Sequence, residues 1–313
     1  MTTPPPALLV AGDDPRGEAG AEAFRGLLHE LGRRHPGLSV GGGFAGTSRP
    51  SLGTSVDELV EQGVRRFAVV PLTSERTERA GRDTAAALAL ARERHPGTAF
   101  TYGRPPGPHP ALLDLLERRA EEALASAAPR TPGDRAGVTV LLVGHGSTDA
   151  GANAEVSRAA RLLWEGRGYA GVETAFVSLA APDVPSGLDR CVRLGARRVV
   201  VLPYVPLAGE PADRARMQTE GWAAAHPEIE VRSADVIGPE PDLLDLVVKR
   251  YREALEGDPH MNRAPREPSV HDTVPSGAGG TTGLPRQPRV QPDEDGHHGH
   301  DHHHRGHTNS HAH

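Results

Sequence analysis

The sequence predicts an α/β protein made of two similar, doubly wound parallel-sheet units followed by a disordered tail. Three observations predict it. Short Val- and Leu-rich runs are apolar at every position, as strands covered on both faces are. Helix-like stretches alternate with them, which implies βαβ crossovers. The whole pattern then occurs twice. "VDELVEQGVRRFAVVPL" (56–72) parallels "LDRCVRLGARRVVVLPY" (188–204). Gly63 and Gly195 are 132 positions apart, as are Pro71 and Pro203, and His95 and His226 are 131 apart. A nearly constant offset over more than a hundred residues marks a duplication.

The elements follow the same order in each copy. A first apolar run (Ala7–Val10; Val138–Val143) ends in a Gly-rich polar loop. A helical pattern follows (Glu18–Leu31; Asn153–Leu163), then a strand-like piece and a helix that stops at Gly63 or Gly195. The second apolar run is Phe67–Leu72 or Val199–Tyr204. Another helix, a strand (Ala99–Tyr102; Ile229–Ser233) and a last helix (Pro110–Leu124; Pro241–Leu255) complete the copy. The expected boundaries are 1–128 and 129–257, joined through an Ala-, Pro-, Arg- and Gly-rich stretch. Residues 258–313 form a disordered linker and tail, because Pro, Gly, Ser and Thr dominate without apolar periodicity.

Composition narrows the function. The 313 residues are 37% hydrophobic but only 4% aromatic, so Ala, Val and Leu must build the core. The net charge of −6, with no basic stripe, argues against nucleic acid as a partner. A single cysteine, Cys191, excludes an internal disulfide and suits a reducing compartment; it reads as a buried small residue. The N-terminus lacks the basic and apolar regions of a signal peptide, and no window approaches a membrane span. A cytoplasmic protein without membrane contact is expected.

The most informative stretch is "VLLVGHGSTDAGAN" (139–152). A buried run ends at His145, set between Gly144 and Gly146 and followed by Ser147. In an open parallel sheet, ligands bind outside the carboxyl ends of the strands, where this loop belongs. Read alone, His145 is either a working group or a structural histidine held by hydrogen bonds.

Here "LLVGHGS", "GARRVVVLPY" and "GPEPDLLDLV" resemble the sirohydrochlorin chelatases of the cobaltochelatase and ferrochelatase type, over roughly residues 6–256. The resemblance implies two α/β lobes facing a cleft. It implies insertion of Co²⁺, Fe²⁺ or Ni²⁺, with Co²⁺ favoured, into a sirohydrochlorin-type tetrapyrrole for cobalamin or sirohaem synthesis. The metal is then a substrate, and no organic cofactor is needed. The partner is an anionic tetrapyrrole, with room for transient contacts to tetrapyrrole-pathway enzymes.

The chemistry fits the residues. Metallation needs a group that holds a divalent ion and a base for two pyrrole N–H protons, and a neutral imidazole can serve as either. His145 is therefore the candidate catalytic residue and metal ligand. Gly144 and Gly146 let a flat ring approach the backbone. Ser147 and the amides of the following helix start could receive a carboxylate. Arg16 and Arg214 could pair with substrate carboxylates, and Tyr204 could pack on the macrocycle, with core packing the competing reading. Glu210 is a candidate oxygen ligand for the metal or a solvated acid. His297, His298, His300, His302, His303, His304, His307, His311 and His313 make the tail a candidate labile metal-binding segment.

The sequence also departs from the pattern. The first copy reads "LLVAGDDPRG", without the histidine. Gly46 and Ser178 stand where the family usually carries a glutamate. Neither "PLTSERTERAG" nor "PYVPLAGEPADR" has the histidine that many members place after this strand. A second reading therefore stays open: a catalytically degenerate paralogue that carries or stores metal or tetrapyrrole.

Overall fold

In the computed structural model, residues 4–15, 17–73, 78–125 and 134–257 are described. Arg16, the expected boundary at 128/129 and the whole histidine-rich tail lie outside them. The first half contains β1 (Ala7–Gly12), α1 (Glu18–Arg34), β2 (Val40–Phe44), α2 (Leu52–Glu61), β3 (Arg66–Leu72), α3 (Glu78–Arg94), β4 (Ala99–Tyr102) and α4 (Pro110–Ala125). The second contains β5 (Thr139–Gly144), α5 (Ala150–Trp164), β6 (Gly171–Phe176), α6 (Val184–Arg193), β7 (Arg198–Pro203), α7 (Glu210–Ala225), β8 (Glu230–Ser233) and α8 (Pro241–Glu256). The strands form two parallel four-stranded sheets, ordered β2-β1-β3-β4 and β6-β5-β7-β8. Among the described residues, no helix is long and apolar enough to cross a membrane.

Strand pleating explains the layers. Along β1, Leu8 and Val10 face one core with Phe24, Leu27 and Leu31 of α1. Ala7, Leu9 and Ala11 face the other, with Leu52, Val56 and Leu59 of α2. In β5, Val140 and Leu142 join the first core, whereas Leu141 and Val143 belong to a third core under α6 and α7. One face of each sheet thus contributes to a single core that runs between the two sheets. The other face of each has its own.

Local signals stop the helices where the repeat suggests. Gly63 and Gly195 are left-handed, with φ +92° and +96°. Val64 N–H donates to Leu59 O and Gly63 N–H to Val60 O; Ala196 and Gly195 repeat the pair onto Cys191 O and Val192 O. This is the double hydrogen bond of a Schellman ending, which requires a left-handed residue and so favours glycine. At the other end, Ser51 and Asp183 cap α2 and α6 by accepting from Thr54 N–H and Ser186 N–H.

The last helix of each copy does not cover its own sheet. α4 packs on β7, β8 and α5, and α8 packs on β3, β4 and α1. Two arginines 131 positions apart fasten this exchange. Arg119 on α4 donates through Nε to Val236 O (2.9 Å) and through Nη2 to Ile237 O (2.8 Å). Arg250 on α8 donates through Nε to Pro105 O (3.0 Å) and through Nη2 to Pro106 O (3.4 Å). Each guanidinium thus reaches the loop that leads into the other exchanged helix. Arg118–Asp242 (2.6 Å) and Arg167–Asp114 (2.7 Å) add ion pairs across the same seam.

Candidate functional site

β5 is buried along its whole length and delivers His145 to the carboxyl edge of the second sheet. His145 itself is partly exposed. Gly146 turns the chain with φ +89°. A Cβ placed there would lie 1.9 Å from Ser178 O, closer than any side chain tolerates. Ser178 N–H in turn donates to His145 O (3.1 Å). The His145 loop and the loop after β6 are therefore locked together, and only glycine allows it. Within that second loop Leu179 has φ +61° and is 65% exposed.

Ser147 is held by a reciprocal pair. Its N–H donates to Asn153 Oδ1 (3.0 Å), and Asn153 Nδ2 donates to Ser147 O (2.8 Å). Asp149 N–H donates to Ser147 Oγ (3.0 Å), and Asp149 caps α5 by accepting from Gly151 N–H (2.8 Å). This corrects one expectation. The amides of Ser147, Asp149 and Gly151 already have acceptors inside the loop, so they are not waiting for a substrate carboxylate. The Ser147 hydroxyl keeps its proton for a second partner.

Other expected residues fall elsewhere. For Tyr204, of the two readings, ring contact or core packing, the structure supports the second. Tyr204 is fully buried, its N–H donating to Val143 O (2.7 Å), and it belongs to the shared core. With no exposed surface, its ring presents no face to a ligand in this conformation. Glu210 and Arg214 pair with each other one helical turn apart (3.3 Å), both partly exposed at the start of α7. The neighbouring backbone meets the first lobe: a Cβ on Gly20 would lie 3.2 Å from Ala208 O, and one on Gly209 would lie 3.6 Å from Pro15 O. Pro15 and Gly20 of the first lobe thus lie beside Ala208 and Gly209, just before α7. Cys191 is buried, and burial pushes its thiol up to about 12, consistent with a packing role.

Strand register shows what replaces the missing histidine. Gly12 pairs with Phe44 in the first sheet as Gly144 pairs with Phe176 in the second. The next residues, Asp13 and His145, are therefore equivalent. The repeat offset of 132 positions makes the same assignment. Among the described residues, no group of three His, Cys, Asp or Glu side chains is placed to hold a metal ion. A cavity of about 150 Å³ lies at the ends of β7 and β8, lined by Pro203, Asp213, Arg216, Ser233 and Asp235 among others. It is smaller than ligand pockets usually are and does not include His145.

Comparison with known proteins places this architecture. The CbiX family model matches twice, at residues 7–123 and 139–254. A sirohydrochlorin cobaltochelatase of Priestia megaterium is 33% identical over 219 residues, covering 70% of this chain and 70% of that protein. A sirohydrochlorin ferrochelatase of the same organism is 29% identical over 167 residues, covering 53% and 60%. Among solved structures, SirB from Bacillus subtilis with Fe³⁺ superposes with a TM-score of 0.68 at 20% identity, covering 82% of this chain and 98% of that one. That likeness shows a shared fold. Two matches to one family model, each with its own parallel sheet, establish that the chain belongs to the CbiX family of sirohydrochlorin chelatases.

Proposed function

We propose that the chain inserts a divalent metal ion, Co²⁺ before Fe²⁺ or Ni²⁺, into a sirohydrochlorin-type tetrapyrrole. The observation that supports this most is the seating of His145. A buried strand carries it to the carboxyl edge of the sheet, and Gly146 and Ser178 fix its backbone. Metal and tetrapyrrole are both substrates. The imidazole can hand over the ion or take up a pyrrole proton, because a neutral imidazole is both a metal ligand and a base. The pyrrole nitrogens supply the other ligands as the ion transfers. Ser147 Oγ and the cations of Arg16 and Arg214 are assigned to the rim carboxylates, and Glu210 to the incoming ion.

The test is anaerobic incubation with sirohydrochlorin and Co²⁺, Fe²⁺ or Ni²⁺, following the absorption spectrum. His145→Ala should fall to the spontaneous rate with its circular dichroism unchanged. Wild-type turnover by that variant would refute the assignment. A second reading, a carrier of metal or tetrapyrrole without turnover, is favoured by the Asp13 replacement and the lack of a preformed metal cluster among the described residues. Stoichiometric tetrapyrrole binding with no metallation above background would support it.

A further inference from the structure

Leu179 combines two locally unfavourable features. It is the one non-glycine residue, among those described, with a positive φ. Ala180 N–H donates to Ser178 O (2.7 Å), an i to i+2 bond that closes a γ-turn around it. With φ +61° this is the rare, strained form of that turn, and a leucine gains nothing from it locally. The side chain is also 65% exposed, so burial does not offset the strain.

The conformation is imposed from outside. Ser178 donates to His145 O through its N–H (3.1 Å) and, more weakly, through its hydroxyl (3.4 Å). Its carbonyl oxygen fills the space left by the missing Cβ of Gly146. Gln218 on α7 reaches Val177 O (3.5 Å). The turn is thus clamped directly to the histidine loop. The first lobe serves as an internal control: with Phe44 equivalent to Phe176, Thr47 occupies the corresponding position and has no positive φ. The strained turn occurs only in the lobe that keeps the histidine. Strain maintained by its surroundings next to a reactive group is commonly linked to a ligand.

We propose that Leu179 is a substrate-contact residue whose isobutyl group packs against one apolar face of the tetrapyrrole ring and positions it at His145. The inference deepens the metal-insertion reading and rests on it. A sirohydrochlorin-type substrate carries its carboxylates at the rim and a flat conjugated surface in the middle. An aliphatic side chain adds contact there without competing for the metal. It also takes the role that the buried Tyr204 does not fill.

The experiment uses the full-length protein and metal-free sirohydrochlorin, with affinity read from the ligand's fluorescence. Leu179→Gly removes the side chain and relieves the strain together. The expected result is a dissociation constant and a KM for the tetrapyrrole raised about 5- to 10-fold, the loss of one buried leucine contact. The KM for the metal should stay within about twofold, and the melting temperature should hold or rise by about 2–4 °C. Leu179→Met should retain wild-type affinity within about twofold. Unchanged affinity in Leu179→Gly would overturn the inference alone. So would a loss of affinity accompanied by a fall in melting temperature, which would mark a structural role. A wild-type protein that binds no tetrapyrrole would overturn the metal-insertion reading and this inference together.

Discussion

Replacing Arg250 by alanine tests the helix exchange. Arg250 is 7% exposed and donates to two buried proline carbonyls, at 3.0 and 3.4 Å. Pro105 and Pro106 lie in the first half of the chain, so these bonds tie α8 to the opposite lobe. A hydrogen bond from a charged donor contributes about 1.5–3 kcal/mol. The shorter bond belongs toward the top of that range and the longer one below its bottom. Lost packing of the aliphatic stem adds about 1 kcal/mol. The substitution should therefore cost about 3–5 kcal/mol, a large share of the 5–15 kcal/mol typical of a folded domain. At about 2–4 °C per kcal/mol, the melting temperature should fall by about 6–20 °C. Urea unfolding followed by two probes makes the test sharper. Both tryptophans, Trp164 and Trp222, lie in the second half, whereas far-ultraviolet circular dichroism reports both halves. If each lobe is completed by the other's helix, the two midpoints shift together. A shift in dichroism with unmoved fluorescence would show that the lobes unfold separately and would refute the reasoning. A total loss under 1 kcal/mol would refute the assigned role of Arg250.

Three further outcomes are expected. Gly146→Ala must push Ser178 O away by about 1 Å; it should cost at least about 2 kcal/mol in chemical denaturation and lower metallation about 100-fold, and a silent substitution would contradict the locked loops. At Asp57, burial raises the carboxyl, but hydrogen bonds from His95 and Arg94 outweigh it and hold the folded value below the ordinary one. A carboxyl lowered by folding stabilises above its unfolded value near 4 and loses that contribution as pH falls through its folded value. The stability difference between wild type and Asp57→Asn should therefore be steady above pH ~5 and shrink below pH ~4; a constant difference from pH 3 to 7 would contradict this. Truncation after Gly257 removes eleven histidines, nine of them between His297 and His313, so calorimetry at neutral pH should show fewer bound Ni²⁺ or Co²⁺ per chain with melting unchanged, and equal stoichiometry would show the tail to be inert.

Much of the framework was legible because it rests on local rules. Continuous apolar runs located β1, β3, β5 and β7 to within about a residue at most ends. The Gly63 and Gly195 helix stops were readable because a Schellman ending requires a left-handed residue. α5 begins earlier than its apolar pattern, at Ala150, because Asp149 caps it. The exchange of α4 and α8 was not legible. Periodicity shows that a helix has an apolar face but not which sheet that face covers, and nothing in the sequence around Arg119 or Arg250 marks which carbonyls they reach. At the site, His145 and Gly146 stood out through their pattern. The repeat offset and strand register agree on Asp13, burial decides between the two readings of Tyr204 in favour of core packing, and Leu179 carries its information in a backbone angle that composition does not encode.

The exchanged helices also bear on why the two halves have diverged. A chain with only one copy would leave a sheet face bare until a second chain lent its helix. In such a symmetric pair every residue appears twice, and a change in one loop is forced on its twin. Joining the copies through residues 126–133 makes the pairing intramolecular, so the second copy is present at high effective concentration whatever the protein level. Symmetry is then no longer obligatory. One carboxyl-edge loop can hold Asp13 while the other keeps His145 and its strained neighbour. The fused twins can divide labour, with the proposed metal transfer resting on the edge that keeps His145 and the other edge free to change.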